Sequence, residues 1–169
     1  MAKVRIDIND IRHYTGCEIG VSGWVRITQD RVNKFAGATG DFQWLHVDEE
    51  QARTGLPTGR TIVHNFLLLS LVPQLFDQTV AFSGLAYGLN KGAENIAFLQ
   101  PLFTDSEVRI RVTLSKLEYS GEAGQIGHFE IIMEQKGGKN AVLTMGLRLL
   151  LVADAAPPRL ADQQQSVAL

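Results

Sequence analysis

The strongest constraint on the fold is an apolar run in the middle of the chain, IVHNFLLLSLVPQLFD at residues 62–77. Its apolar side chains fall on every face of a helix, a pattern typical of a helix that is buried on all sides. Pro73 lies inside the run and is expected to kink the helix or to end its first part. The rest of the fold must therefore supply enough apolar surface to surround one central helix.

The residues after this helix alternate in polarity, as strands with one solvated face do. Residues 107–114 read EVRIRVTL, and the glycine-rich turn at 136–140 predicts a hairpin between candidate strands at 127–135 and 141–152. Upstream candidates bring the total to about five or six strands, at 18–27, 81–89 and 94–103. The order of elements indicates an α+β fold in which a long antiparallel sheet wraps a single helix.

Composition excludes several classes of function. The sequence has 169 residues, a formal net charge of −2 and one cysteine. This balance predicts no binding to nucleic acid or to a membrane surface, and no apolar run is long enough to span a bilayer. The lone Cys17 gives no disulfide framework. We expect one domain at 1–153, a flexible tail at 154–169, a cytoplasmic location, and pairing of sheet edges into a homodimer or a higher homo-oligomer.

Asp41 and His46 are candidates for acid/base chemistry. They lie five residues apart in GDFQWLHVD at 40–48. Neither a straight helix nor a strand would place both side chains on one side. However, Gly40 is expected to end a first helix and Asp48 to begin a second, short one, so the backbone between them is irregular. A carboxylate and an imidazole on such a loop can position and activate one water molecule.

Simpler interpretations remain open at this point. From the spacing alone, Asp41 caps a turn and His46 is a surface residue. His64 is more typical of a packed residue than of a catalyst, and Thr61 or Asn65 caps the apolar helix. The same helix N-terminus can also stabilise a developing negative charge. No spacing in the sequence resembles a metal site or a nucleotide-binding loop, so we expect neither a metal nor a cofactor.

Two motifs resemble the MaoC-like dehydratases, the (R)-specific enoyl-CoA hydratase family, and within it the nodulation protein N-like branch. GDFQWLHVD at 40–48 matches the branch's G-D-x-Q-W-[IL]-H-x-D, and TIVHNFLLLSLVP at 61–73 matches its T-I-A-H-G-[FY]-L-x-L-S-L-x-P. The resemblance covers about residues 15–153. It implies that residues 1–153 form a single MaoC-like hotdog domain, with an antiparallel sheet around one central helix, assembled as a dimer.

The resemblance also implies an activity. It is the reversible syn hydration of a trans-2-enoyl thioester, of CoA or of a carrier protein, to an (R)-3-hydroxyacyl thioester. Asp41 and His46 would form the catalytic dyad and hold the water, with His46 drawing off its proton and Asp41 helping to deliver one to the α carbon. Asn65, His64 and Trp44 are the expected oxyanion-stabilising or substrate-binding residues.

Three departures from the family pattern matter. Asn65 stands where the family has glycine, and in residues 90–98 Lys91 replaces a tyrosine and Ala97 an arginine. The asparagine side chain could crowd the thioester. Two alternative functions therefore stay open: a non-catalytic hotdog protein that binds acyl thioesters, and a hotdog thioesterase.

Overall fold

The computed structural model describes residues 3–121 and 124–154. Its helices are α1 (Gln29–Thr39), α2 (Trp44–Val47), α3 (Glu49–Gly55) and α4 (Asn65–Thr79). Its strands are β1 (Val4–Asp7), β2 (Cys17–Val21), β3 (Val25–Arg26), β4 (Val80–Ser83), β5 (Leu85–Phe98), β6 (Glu107–Tyr119), β7 (Gln125–Gln135) and β8 (Ala141–Ala153). Apart from Asp154, the tail expected at 154–169 lies outside the described residues.

Six strands form one antiparallel sheet, as the alternating sequence predicts. The strand order is β2–β6–β7–β8–β5, and β3 pairs with β6 beyond the end of β2. The hairpin at 136–140 joins β7 to β8 as expected. The sequence did not predict the separate parallel pair formed by β1 and β4, which ties the start of the described chain to the end of α4.

Helix α4 packs against one face of this sheet. Leu68, Leu75 and Val72 are almost wholly buried, and Phe76 meets Phe129 of β7 edge to face with ring centroids 5.0 Å apart. Alternating side chains of β6 and β7 complete the core, among them Val108, Ile110, Val112, Leu114, Ile131 and Met133. The predicted sheet wrapped around one apolar helix is thus confirmed.

One expectation for this helix was wrong, and one of the two alternatives at Pro73 is excluded. It is not buried on all sides, because the sheet of one chain covers a single side and leaves Phe66 exposed by 66%. Ser70 and Gln74 are also exposed on the open side. The helix does not end at Pro73 but continues through it to Thr79, with the proline on the same exposed side. Within 3–121 and 124–154, no helix has the length and apolar character needed to cross a membrane.

The three shorter helices shape the segment before α4. Thr28 caps α1 by accepting a hydrogen bond from the Arg31 amide at 3.3 Å, and Gly40 ends that helix with φ of 80°. Asp48 caps α3 through the Gln51 amide at 2.9 Å. Both helix boundaries agree with the sequence. The four-residue α2 between them was not predicted, and it carries His46.

Candidate active site

A pocket of about 680 Å³ opens at the N-terminal end of α4. Three parts of the chain enclose it: the segment from α1 to α2, the extended residues before α4, and the residues around the end of β5. Its lining combines apolar walls with a small polar group, and consists of Phe35, Thr39, Asp41, Leu45, His46, Ile62, Val63, His64, Asn65, Phe66, Phe98, Leu99, Gln100 and Pro101. Such a combination is typical of small-molecule sites.

The His46 ring is buried and has a fixed tautomer. Its Nδ1 lies 2.6 Å from the carbonyl oxygen of Ile62, and because a carbonyl only accepts, Nδ1 carries the proton and donates it. Nε2 therefore keeps its lone pair. Gln29 supports the same turn by donating from Nε2 to the His46 carbonyl oxygen at 2.8 Å. The arrangement resembles a general base whose unused nitrogen is held by the backbone.

The surroundings of His46 keep it neutral. Burial is the largest effect and lowers the pKa of its imidazole below the ordinary value of 6.5, and the nearby His64 lowers that pKa further. The hydrogen bond to the Ile62 carbonyl and the Asp41 carboxylate both raise it. The balance is a lowered pKa. At neutral pH the Nε2 lone pair is therefore free to take a proton.

Asp41 follows the end of α1 and remains ionised. Partial burial raises the pKa of its carboxyl group, but hydrogen bonds from the side chain and backbone of Gln43, with smaller contributions from His46 and His64, lower it overall. The Gln43 side-chain amide donates to Oδ1 at 3.1 Å. The side chain is 40% exposed, so the carboxylate stands at the edge of the pocket with access to water.

The irregular backbone brings Asp41 and His46 together, as the sequence predicted it could. A carboxylate oxygen of Asp41, a ring nitrogen of His46 and a ring nitrogen of His64 all lie within 4.8 Å of one another. One water molecule can bridge two polar groups at such a separation. The carboxylate would accept one of its hydrogen bonds and the His46 lone pair the other.

His64 takes part in this cluster and is not merely a packed side chain. It is only 2% exposed, and its ring stacks on that of His46 with centroids 3.8 Å apart and planes 26° apart. Its Nε2 donates to the backbone carbonyl of Asp41 at 3.0 Å and lies 3.9 Å from the carboxylate. The stacking was not predictable from the sequence, because it depends on how α2 packs against the residues before α4.

The N-terminus of α4 has no side-chain cap. His64 is its N-cap residue, and its ring makes no cap hydrogen bond. The Leu67 and Leu68 amides bond to the His64 carbonyl, so the amides of Asn65 and Phe66 precede the first intrahelical bonds. Thr61 does not cap the helix either, since its hydroxyl bonds to Gln29 and, at 3.0 Å, to Thr104. The expectation that Thr61 or Asn65 is the cap was wrong.

Asn65 needs no special backbone conformation where the family pattern has glycine. It is the first residue of α4, and the non-glycine residues with positive φ in the described chain are Asn95 and Asp105. Its exposed side chain lines the pocket. Trp44, by contrast, is not among the pocket-lining residues; its ring packs beside Gly55, where an added Cβ would meet it at 3.3 Å.

Sequence reasoning missed several residues of the site. Phe35 and Thr39 reach the pocket from α1, and Leu99 and Gln100 come from the loop after β5. Nothing in the sequence placed these segments side by side. Gln29 was not detectable, because it acts through a contact with a residue 17 positions away.

The two histidines and Asp41 are also ligands of the type that zinc accepts. A histidine coordinates a metal through a lone pair in the plane of its ring, and the rings of His46 and His64 stack almost face to face. One nitrogen of each ring already donates its proton to a backbone carbonyl, His64 Nε2 to that of Asp41 and His46 Nδ1 to that of Ile62. The absence of a metal stays our prediction.

Comparison with known proteins identifies the chain's relatives. The MaoC like domain model matches residues 12–129. The chain is 41% identical to 3-hydroxyacyl-thioester dehydratase Z of Mycobacterium tuberculosis (strain ATCC 25618 / H37Rv) over 114 residues, which is 68% of this chain and 75% of that protein. It is 33% identical to Nodulation protein N of Rhizobium leguminosarum bv. viciae over 147 residues, 82% of this chain and 87% of that protein.

The fold has relatives among solved structures. The (R)-hydratase from A. caviae involved in PHA biosynthesis superposes with a TM-score of 0.64 at 27% identity, covering 79% of this chain and 96% of that one. A MaoC-like dehydratase from Rhodospirillum rubrum gives a TM-score of 0.65 at 19% identity, covering 81% and 92%. The sheet around α4 is thus a hotdog fold, and the chain belongs to the MaoC-like domain family.

Proposed function

We propose that this chain is an (R)-specific enoyl-thioester hydratase, which in reverse is a 3-hydroxyacyl-thioester dehydratase. The observation that carries the proposal is the convergence of the Asp41 carboxylate and the His46 ring in one pocket at the open N-terminus of α4. The names of the relatives, a 3-hydroxyacyl-thioester dehydratase and an (R)-hydratase, support this reaction class. The proposed enzyme is a hydro-lyase.

A single proton moves in the proposed reaction. In hydration, His46 Nε2 takes a proton from the bound water as the water oxygen forms its bond to C3 of the enoyl thioester. The water keeps its second proton as the new hydroxyl group, so the proton taken by His46 must be the one that reaches C2. Asp41 is ionised at neutral pH and holds no proton of its own, which limits it to orienting the water and relaying that proton.

The N-terminus of α4 would stabilise the charge on the thioester oxygen. Addition at C3 moves negative charge onto that oxygen as an enolate, and unpaired helix amides are suited to receive it. The amides of Asn65 and Phe66 precede the first intrahelical bonds of a 15-residue helix. Because Asn65 retains its backbone N–H, replacing the family's glycine does not remove this donor.

The proposed substrate is an acyl thioester of CoA or of a carrier protein, and the proposed assembly is a homodimer. Within the described residues β5 hydrogen-bonds to a neighbour along one edge only, β8. Its side chains are mostly exposed, including Tyr87 at 57%, Leu89 at 52% and Ile96 at 39%. An open edge with apolar side chains suits pairing with a second copy. Sedimentation of the wild type against Leu89→Lys tests the dimer.

The activity is tested by following the enoyl-thioester absorbance of crotonyl-CoA and longer analogues after addition of enzyme. Asp41→Asn and His46→Gln are expected to lower kcat by roughly 10²–10⁴-fold, the usual contribution of a general acid or base. Asp77→Asn is the matched control, because this exposed carboxylate lies near the other end of α4 and is paired with Lys3. It should retain wild-type turnover.

Other outcomes point to the alternative functions. Release of free thiol without formation of a 3-hydroxyacyl product would indicate a thioesterase. Binding of an enoyl-CoA with no turnover at any chain length would indicate a non-catalytic binding protein. Equal rates in the wild type and both dyad variants would contradict the assignment of Asp41 and His46. The cytoplasmic location stays a prediction, which fractionation of cells containing the protein would check.

A further inference from the structure

We propose that His64 is a positioning residue that holds both members of the dyad, the Asp41 loop by a hydrogen bond and the His46 ring by stacking. The inference rests on the proposed function, since it assigns His64 a role in the same reaction. His64 itself is not placed at the water, because the Nε2 that faces Asp41 already donates to a backbone carbonyl. Its effect would therefore be exerted through its two neighbours.

The hydrogen bond fixes the loop that carries the carboxylate. Asp41 follows Gly40, and its own backbone amide has only a 3.5 Å contact to the Thr39 hydroxyl, at the limit of hydrogen bonding. The 3.0 Å bond from His64 Nε2 to the Asp41 carbonyl is shorter and comes from a residue 23 positions away. It ties the loop to the start of α4, so the carboxylate and the helix amides keep a fixed separation.

The stacking fixes the ring that accepts the proton. The His46 side chain is held at Nδ1 by Ile62, but a single hydrogen bond still allows the ring to rock about it. His64 covers one face of that ring at 3.8 Å, and Phe35 packs on His64 in turn, with centroids 5.1 Å apart. The stacked His64 ring, itself packed against Phe35, restricts rotation of the His46 ring. No other residue of the described chain stacks on the His46 ring.

The stacked His64 ring also affects the pH range in which His46 can act as a base. Asp41, His46 and His64 are the titratable side chains in the pocket lining, and the residues that reach it from α1 and β5 are uncharged. Asp41 favours a charged His46, whereas burial and His64 both lower the pKa of its ring. Replacing His64 by a neutral side chain should therefore raise the pKa of His46. The base would then be lost by protonation at a higher pH.

Two substitutions separate the two contacts. His64→Phe keeps an aromatic ring over His46 but removes the donor to the Asp41 carbonyl. His64→Gln places an amide donor near the position of Nε2 but removes the ring. We expect kcat to fall by roughly 10–100-fold in His64→Phe, where the loop is released, and by less than about tenfold in His64→Gln. KM should change little in both, because neither contact involves the substrate.

The decisive measurement is the pH dependence of kcat/KM, which a purely structural role would leave in place. Its acidic limb, where His46 becomes protonated, should move to higher pH in both variants. His128→Gln is the matched control: this half-buried histidine lies on the face of β7 that points away from α4, between the buried residues Gly127 and Phe129. Its acidic limb should coincide with that of the wild type.

An NMR titration keeps the test independent of turnover. The sequence contains four histidines, so the His46 resonance can be assigned by substitution and followed against pH. A raised His46 pKa in folded His64→Phe and His64→Gln supports the proposal even if crotonyl-CoA is not a substrate. An unchanged His46 titration together with kcat within twofold of the wild type in both variants would overturn it. A wild type that turns over no enoyl thioester would instead count against the proposed function alone.

Discussion

The two ends of α4 each open into a pocket, yet they differ in what they can do. The N-terminal pocket, about 680 Å³, receives a carboxylate, two imidazoles and unpaired helix amides. The C-terminal pocket, about 440 Å³, is lined largely by apolar residues such as Phe76, Leu85 and Leu149. Its charged groups, Lys3 and Asp77, pair with each other at 3.1 Å near the surface.

The difference shows that cavity volume alone does not make a site. At the N-terminal end, the irregular backbone between α1 and α4 directs polar side chains into one pocket. The helix dipole favours a developing anion there. At the C-terminal end the chain passes directly from Thr79 into β4, and the dipole has the opposite sign. Because α4 and β4 follow each other without an irregular segment, the C-terminal pocket has apolar walls and few polar groups. Three experiments test this difference between the two ends of α4.

The largest expected effect comes from filling each pocket. Asn65→Trp should lower kcat/KM for crotonyl-CoA by roughly 100-fold or more, because a displacement of about 1 Å in the reacting groups already has that effect. Ala81→Leu places a larger side chain against the C-terminal pocket and should leave the rate within about twofold. Melting curves check that both proteins fold. A parallel loss of rate in Ala81→Leu would show that the two pockets act together.

A smaller effect is expected from substitution of two buried threonines, Thr61 shortly before α4 and Thr79 at the end of α4. Thr61→Val removes a hydroxyl bonded to Gln29 and Thr104, which should lower the free energy of unfolding by about 1–3 kcal/mol. Thr79→Val removes a 2.7 Å bond to the Leu75 carbonyl within the helix, and about 0.5–1.5 kcal/mol is expected.

Urea denaturation measures both values, and turnover separates them further. Thr61→Val should also lower kcat, because Gln29 supports the turn that carries His46, whereas Thr79→Val should not. Equal losses of stability with unchanged kcat in both variants would contradict the idea that the polar network at the N-terminal end serves the site.

The smallest effect concerns pH. Since burial lowers the pKa of His46, its neutral form persists below the ordinary value of 6.5, and the acidic limb of the wild-type kcat/KM profile should lie below that pH. Asp41, with its lowered pKa, titrates at still lower pH and leaves this limb to His46. The Asp77→Asn profile should coincide with that of the wild type. A limb at or above pH 6.5 would contradict a buried base.

The helices and strands were largely predictable because their signals are local. Alternation in β6 to β8, the Gly40 end of α1, and the Asp48 cap of α3 each depend on a few neighbouring residues. The apolar run predicted a central helix for the same reason. The apolar run could not show that one side of α4 stays exposed. An apolar composition indicates burial, but it does not indicate whether residues of the same chain bury that side.

Within the site, the sequence supplied the chemical groups but not all of their contacts. Asp41 and His46 were candidates from residue type and from the break in regular structure between them, and their role as a dyad was implied by the resemblance to the MaoC-like dehydratases. The stacking of His64 on His46, the Gln29 bond behind the turn and the position of Trp44 outside the pocket were not predicted. Each depends on how segments far apart in the chain pack, and no local pattern encodes that.

The sequence indicated the antiparallel sheet, the apolar helix and the irregular segment that carries Asp41 and His46, because periodicity, capping and residue chemistry act over a few residues. The role of these two side chains as an acid/base pair stays a prediction. The tertiary structure established three further properties: which nitrogen of the His46 ring is free, which side chain covers that ring, and which end of α4 lies beside it. Those properties follow from hydrogen bonds and packing between segments 16 or more positions apart, such as His46 with Ile62 and Asp41 with His64.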